Sequence, residues 1–267
     1  MVNNISKKLY KYHVCSIEAL QNLSQNKLWF SKPGRFNDPF DCAIPFNIDG
    51  SEKEYLELYN NLVNRLTEPG RLDKIKEVES RYLTDGKPNL AFKHHTNEVQ
   101  LKGNLELIKS KFSQMGVACF SEKLDDILMW SHYANGHRGF CLEFDTYCEP
   151  FQNIDNIQIQ KVIYSDSYPL LSPAAVTETK YMPIEPLITK STDWKDEKEW
   201  RLLMSPEGDQ SFKYELKTLT AIYFGCSMPD EQIELICTIL SKPTPNLYKM
   251  QQSNTEFKLI SVPYQCL

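Results

Sequence analysis

Nine short runs rich in β-branched and aromatic residues recur along this chain: LYKYHV, KLWF, GVACFS, GFCLEF, IQKVIY, EWRLLM, LTAIYF, NLYKM and FKLISV. Turn or helical signals separate most of them, so they read as strands of one sheet system. Strands outnumber simple strand–helix alternations, which argues against a purely parallel, doubly wound fold. The expected class is α+β, with mixed or antiparallel twisted sheets, flanking helices and a helical insertion. That insertion falls at about 51–112, where the composition shifts to Lys, Glu, Leu and Tyr, and Tyr55, Leu58, Tyr59, Leu62 and Leu66 recur at helical spacing. It is interrupted near Pro69-Gly70 and Gly86-Lys87-Pro88. A further helix is expected after Pro229, carrying Ile233, Leu235, Ile236, Ile239 and Leu240, with Pro243 beyond its end. A length of 267 residues is compatible with one α+β domain spanning 1–267 around that insertion.

Hydrophobic residues make up 41% of the chain and charged residues 24%, a balance that supports a packed core. The net charge of -5 removes the electrostatic footprint of a generic nucleic-acid binder. Eight cysteines, Cys15, Cys42, Cys119, Cys141, Cys148, Cys226, Cys237 and Cys266, form no CxxC pair and read as reduced thiols. No stretch resembles a signal peptide or a bilayer span, so the expected location is cytoplasmic, with no membrane partner. The ten glycines build neither GxGxxG nor GxxxxGK, so a nucleotide would have to be held by other means.

Three short motifs concentrate the unusual polar residues. In the first, FNDPFD (36–41), proline and Asx chemistry dictate a turn that Phe36 and Phe40 can pin to the core. Such a loop can also line a pocket, with Arg35 and Asn37 as candidate ligand contacts. The second, CFSEKLDDILMWSHYANGH (119–137), opens on a strand in which Val117, Cys119 and Ser121 alternate with Ala118 and Phe120. Asp125 or Asp126 can cap a helix that Asn135-Gly136 closes, with Ile127, Trp130, Ser131 and Ala134 on its core face. His132 and Tyr133 lie elsewhere on that helix and are freer to meet a ligand, although a structural histidine satisfied by one hydrogen bond is the favoured account of His132. No metal site is expected, since His132 and His137 are not at i, i+4 spacing and no HExxH or cysteine set completes one. Cys119 as a thiol nucleophile would lack a third, orienting group.

In the third motif, EKEWR (197–201), strand alternation places Trp200, Leu202 and Met204 on a core face and Glu197, Glu199 and Arg201 on the other. Two carboxylates and a guanidinium would share one stripe. A solvated face with weak surface pairs explains it as readily as a site does.

Taken together, Tyr10-Lys11-Tyr12, FNDPF (36–40), CFSE (119–122), Met129 to Ala134, Gly139-Phe140-Cys141 and Glu197 to Arg201 resemble the bacterial domain-of-unknown-function family twenty-nine seventy-one. The motifs occur in the family's order nearly end to end, and the family supplies no activity. A more distant resemblance is to ADP-ribosyltransferases, which release nicotinamide from NAD and transfer ADP-ribose. The order of an aromatic, histidine-bearing first strand, a serine strand and a late ExE strand carries it. The middle motif is CFSE where an STS would be clearer, and His13 lies outside an H-G or R-G signature.

That second resemblance implies NAD as substrate and roles for particular residues. Glu199 would stabilise oxocarbenium character on the ribose, and Glu197 would orient or deprotonate an acceptor. Tyr10, Tyr12 or Tyr133 would stack on nicotinamide, with His13 and Ser121 in the matching strand elements, and Arg35 or Arg201 would pair with pyrophosphate. Asn37 and His132 complete the candidate binding set. A macromolecular acceptor, and an antitoxin or other regulator, would be the partners of a bacterial toxin or antiphage effector. Two other classes stay open: a noncatalytic ligand-sensing or protein-interaction domain, and a metal-dependent nuclease using Asp38, Asp41, Glu197 and Glu199.

Overall fold

Strands form where alternation and turn signals placed them, in a computed structural model that describes residues 5–42, 50–66, 72–152, 154, 156–173, 176 and 183–266. In chain order they are β1 (Lys8–His13), β2 (Lys27–Phe30), β3 (Leu83–Thr84), β4 (Lys87–Pro88), β5 (Gly116–Ser121), β6 (Phe140–Asp145), β7 (Ile157–Lys161), β8 (Ile163–Tyr164), β9 (Thr189–Lys190), β10 (Glu199–Met204), β11 (Gln210–Lys213), β12 (Leu219–Phe224), β13 (Asn246–Gln252) and β14 (Leu259–Pro263). The helices are α1 (Ile17–Ser24), α2 (Glu52–Leu66), α3 (Leu72–Tyr82), α4 (Leu90–His95), α5 (Lys102–Gln114), α6 (Ile127–Tyr133), α7 (Glu185–Ile188) and α8 (Asp230–Ile239). The class is α+β.

The chain divides into two compact units, one of Met1–Asp41, Gln114–Asp166 and Lys190–Leu267, the other of Cys42–Ser113 and Ser167–Thr189. The second holds α2, α3 and α4 of the expected insertion, with a small core in which Phe92 meets Tyr59 and Tyr82 edge-on. The first holds an eight-stranded sheet in the order β14-β13-β12-β6-β1-β5-β10-β7. Its described pairs are antiparallel except β12–β13, a parallel pair joined by the crossover helix α8. β2 and β11 pair as a separate ribbon; the QSFK run that makes β11 is too polar to read as a strand from sequence.

Both faces of the large sheet are covered. On one, Leu23 of α1, Leu28 and Phe30 of β2, and Ile233 and Ile236 of α8 pack against Leu9, Phe120, Phe144, Trp200 and Ile222. On the other, Met129 and Trp130 of α6 pack against Tyr12, Cys141 and Tyr223. Each fully buried large apolar side chain is worth roughly 1.5–3 kcal/mol, so these two layers fix where α6 and β1 stand. The helix face differs from expectation: Met129, Trp130 and Ala134 are buried, whereas Ile127 and Ser131 are exposed. Asp126 starts α6 by accepting from the N–H groups of Leu128 and Met129, and Asn135 and Gly136 leave it with positive φ. Gly139 is required, because a Cβ there would overlap the His13 carbonyl.

Cys237 of α8 and Cys266 are joined in a disulfide, a correction to the reading of eight reduced thiols. The segment after β14 returns to α8 and brings the two Cα atoms to 5.9 Å, a proximity that sequence spacing does not reveal. No described helix is long and apolar enough to cross a membrane.

Candidate functional site

The central strands do not close. β1 pairs with β6 along its whole length, from Lys8↔Asp145 to His13↔Phe140, but with β5 only at Tyr10↔Ser121. Further along β5, Val117 exchanges both backbone hydrogen bonds with Ser31, the residue after β2, at 2.8 and 3.0 Å. Between these points the carbonyl of Cys119 accepts from the Lys11 ammonium at 3.1 Å. A side chain thus takes an acceptor that a strand ladder would have filled.

A cavity of about 150 Å³ opens in this fork. β1 contributes Tyr10, Lys11 and Tyr12, and β5 contributes Cys119, Phe120 and Ser121. Met129 and Tyr133 of α6, with Phe36, Asn37 and Asp41 of the first motif, supply further walls. Lys190, Glu197 and Glu199 complete it. About 150 Å³ is the size of a cavity that holds one benzene-sized ring, so the fork has room for a single ring of a ligand.

The polar wall is an ion-pair network. Lys190 Nζ lies 2.6 Å from Glu197 Oε2 and 2.8 Å from Glu199 Oε2. Arg201 donates from Nε to Glu199 Oε1 at 2.7 Å and from its terminal nitrogen to Asp41 Oδ2 at 2.7 Å. Tyr133 donates to Glu197 Oε1 at 2.8 Å. None of these five charged side chains is more than 10% exposed. Charges this far from water persist only when matched, so the network is cohesive but intolerant of losing one member.

Local backbone aims the two glutamates together. Glu197 ends a 3-10 turn (Thr192–Glu197) instead of lying on the strand, and Lys198 takes a left-handed conformation (φ 46°) before β10 begins. The shared stripe of Glu197 and Glu199 is therefore not the product of strand alternation, which applies to Glu199 and Arg201. Nor is it solvated: Glu199 is 4% and Arg201 0% exposed. Ser121 Oγ donates to the Glu197 carbonyl at 2.6 Å and accepts from the Lys123 N–H, so its hydroxyl holds Glu197 in place.

The environments of the two acids diverge. Burial pushes the Glu199 carboxyl up, but Arg201 and then Lys190 overcome it and hold it down at about 2. Burial pushes Glu197 up as well, and there Lys190 and Tyr133 only partly offset burial and the charge of Glu199. Burial alone would lower Lys190, yet Glu199 and Glu197 raise it. The Cys119 thiol is pushed well up by burial and by Glu199, which disfavours a thiolate nucleophile.

Of the candidate residues, Tyr10, Tyr12, Asn37, Ser121, Tyr133, Glu197 and Glu199 line the cavity. Arg201 stands behind Glu199, its guanidinium 5.6 Å from the Phe36 ring centre. His13 does not line it: the ring stacks on Phe140, and burial followed by Lys11 pushes its pKa down to about 3. Arg35 is exposed and pairs with Asp209, and His132 is exposed beside Trp194. Phe40 is 68% exposed, so only Phe36 pins the first loop, while Asp38 accepts from the Phe40 N–H in a local turn. Asp41, Glu197 and Glu199 face Lys190 and Arg201, and among the described residues no group of three or more His, Cys, Asp and Glu is arranged to hold a metal.

Lys190, Lys11 and Glu143 escaped the sequence reading. The buried Glu143 accepts from the Tyr223 hydroxyl at 2.8 Å and pairs with Lys8, and Tyr223 in turn packs edge-on against Tyr10 of the cavity wall. Lys190 supplies the second cation for the buried acids, a role that becomes apparent only once Asp41, Glu197 and Glu199 are seen together.

No curated protein and no solved structure matches the chain. Residues 129–202, the segment that carries Tyr133, Glu143, Lys190, Glu197, Glu199 and Arg201, match the model of a family described as a protein of unknown function, DUF2971.

Proposed function

We propose that this chain is an NAD-consuming enzyme of the ADP-ribosyltransferase or NAD glycohydrolase kind, with Glu197 as its reacting carboxylate. The observation that carries the reading is that Glu197, Glu199 and the β1 tyrosines border one ring-sized cavity in the fork between β1 and β5. Nicotinamide is a planar ring of suitable size for aromatic walls and strand-edge hydrogen-bonding groups. In the reaction the C1′–N bond breaks and its electron pair goes to the pyridinium nitrogen, which becomes neutral. The ribose carries the oxocarbenium charge until an acceptor oxygen bonds to C1′ and its proton passes to Glu197.

The pairings support a different division of labour from the one the resemblance implies. Both oxygens of Glu199 are matched by cations, which weakens it as a partner for an oxocarbenium ion and suits it to holding Lys190. Glu197, pushed toward neutrality, is the better proton acceptor. An ADP-ribosyltransferase-like architecture, a macromolecular acceptor, and a toxin or antiphage role regulated by an antitoxin belong to the same proposal.

The test is incubation of the whole chain with adenylate-labelled NAD, with and without cell extract. Wild type should release nicotinamide, and Glu197→Gln should lose about 10²-fold or more of the rate. Absence of NAD binding, cleavage and label transfer would sink the proposal. A noncatalytic ligand sensor is a second reading, favoured by the complete pairing of Glu199; it expects binding without turnover.

A further inference from the structure

The cations of the fork are not equivalent. Arg201 and Lys190 are each matched by carboxylates within 2.8 Å. Lys11 leaves β1 where β5 diverges, donates to the Cys119 carbonyl, and stands 5.1 Å from the Phe120 ring centre. An ammonium has three donors, and this bond accounts for one. Among the described residues no carboxylate comes within ion-pair distance of it; Glu199 acts on it only from farther away. Burial lowers its pKa despite Cys119 and Glu199, which marks a cation short of counter-charge. Supplying an anion at this point removes the cost of that unmatched charge.

We propose that Lys11 is the anion anchor of the cavity, so that the ligand is a ring compound bearing an anionic oxygen group, most simply a phosphate ester. The inference rests on the fork being a ligand site, as in the preceding reading, and adds the group that distinguishes a nucleotide from a nucleoside. The ring occupies the cavity, and the phosphate lies against the ammonium of the half-buried Lys11 at its wall. Lysine serves phosphate as a point charge, without the fork geometry that an arginine would impose.

Two measurements decide it. The first is reductive methylation of the wild-type chain with and without inorganic phosphate, read at Lys11 by peptide mass spectrometry against the exposed Lys217. Phosphate should slow modification of Lys11 about ten-fold, equivalent to about 1.4 kcal/mol, and leave Lys217 unchanged. An unchanged Lys11 rate overturns the proposal. The second compares nicotinamide mononucleotide with nicotinamide riboside by calorimetry, in wild type and Lys11→Gln. A preference of about ten-fold for the mononucleotide that disappears in Lys11→Gln supports the anchor. Equal binding of the two by wild type overturns the anchor while leaving the NAD reading intact. If neither binds, the NAD reading fails and the methylation result alone decides the anchor.

Discussion

Glu197 and Glu199 each present one carboxylate oxygen to the same ammonium, that of Lys190, at 2.6 and 2.8 Å. The left-handed Lys198 between them makes this convergence possible. Removing the shared cation takes the closest ammonium from both glutamates while they stay buried, so Lys190→Met should destabilise the chain by about 3–5 kcal/mol. Equilibrium urea unfolding measures this, and adding Glu197→Gln to Lys190→Met should recover part of the loss. Strict additivity of the two changes would contradict the coupling.

Acid sensitivity follows from Glu199. Its folded pKa, about 2, lies below the ordinary 4.5, so the folded state binds its proton less readily than the unfolded chain does. The associated stability is fully present above about pH 4.5 and is lost as pH falls toward 2, to the extent of about 3 kcal/mol. Glu197 works in the opposite sense: its folded pKa is raised, so its contribution declines as pH rises through that value. The stability gap between wild type and Glu199→Gln should therefore narrow steadily between pH 5 and pH 2, as followed by urea unfolding at each pH. A constant gap would show that Glu199 is not held ionised by its partners.

Tyr133 tunes Glu197. Its hydroxyl bond is among the few influences that lower that carboxyl's pKa, against burial and Glu199. Tyr133→Phe should move the titration of Glu197 to higher pH, visible by carbon NMR of labelled glutamate, and should raise the basicity limb of any NAD-cleavage profile with it. The ring remains to fill the cavity wall, so the loss of stability should be only about 1–2 kcal/mol. A titration that does not move would mean the hydroxyl serves only packing.

Much of the frame was legible because strand alternation and turn chemistry act locally. GVACFS, EWRLLM and LTAIYF became β5, β10 and β12 without a shift of boundary. The site was less legible, since its assembly depends on contacts distant in sequence. Lys190 stands on a two-residue strand with no periodic pattern, and Asp41 reaches Arg201 across 160 positions. The fork was invisible for a related reason: nothing in LYKYHV or GVACFS states that the two strands will share one bridged pair. Arg35 and His132 looked functional because their motifs were unusual, whereas their side chains meet Asp209 and Trp194 at the surface. Arg35→Ala should accordingly change stability by less than about 1 kcal/mol and leave NAD cleavage within about two-fold. A larger loss of cleavage would return Arg35 to the site.

Arg201 is the residue through which the first motif and the third become one structure. Its Nε bond to Glu199 lies along β10, and its terminal bond to Asp41 ties the FNDPFD loop to that strand, with Phe36 against the guanidinium face. Arg201→Met keeps much of the apolar volume but removes the bridging guanidinium, leaving Lys190 as the cation that Glu199 and Asp41 share, at 2.8 and 3.9 Å, at a cost of about 3–5 kcal/mol. Arg201→Lys keeps the charge but offers no planar fork to span both acids, so it should restore stability only in part. Hydrogen exchange gives the more specific readout. In Arg201→Lys the amides of Phe40 and Asp41, both bonded to Asp38, should exchange faster than in wild type, while those at the α8 end of the sheet, Ile222 to Phe224, keep their protection. Uniform acceleration across both segments would mean that Arg201 supports the fold at large and does not specifically clamp the loop over the cavity.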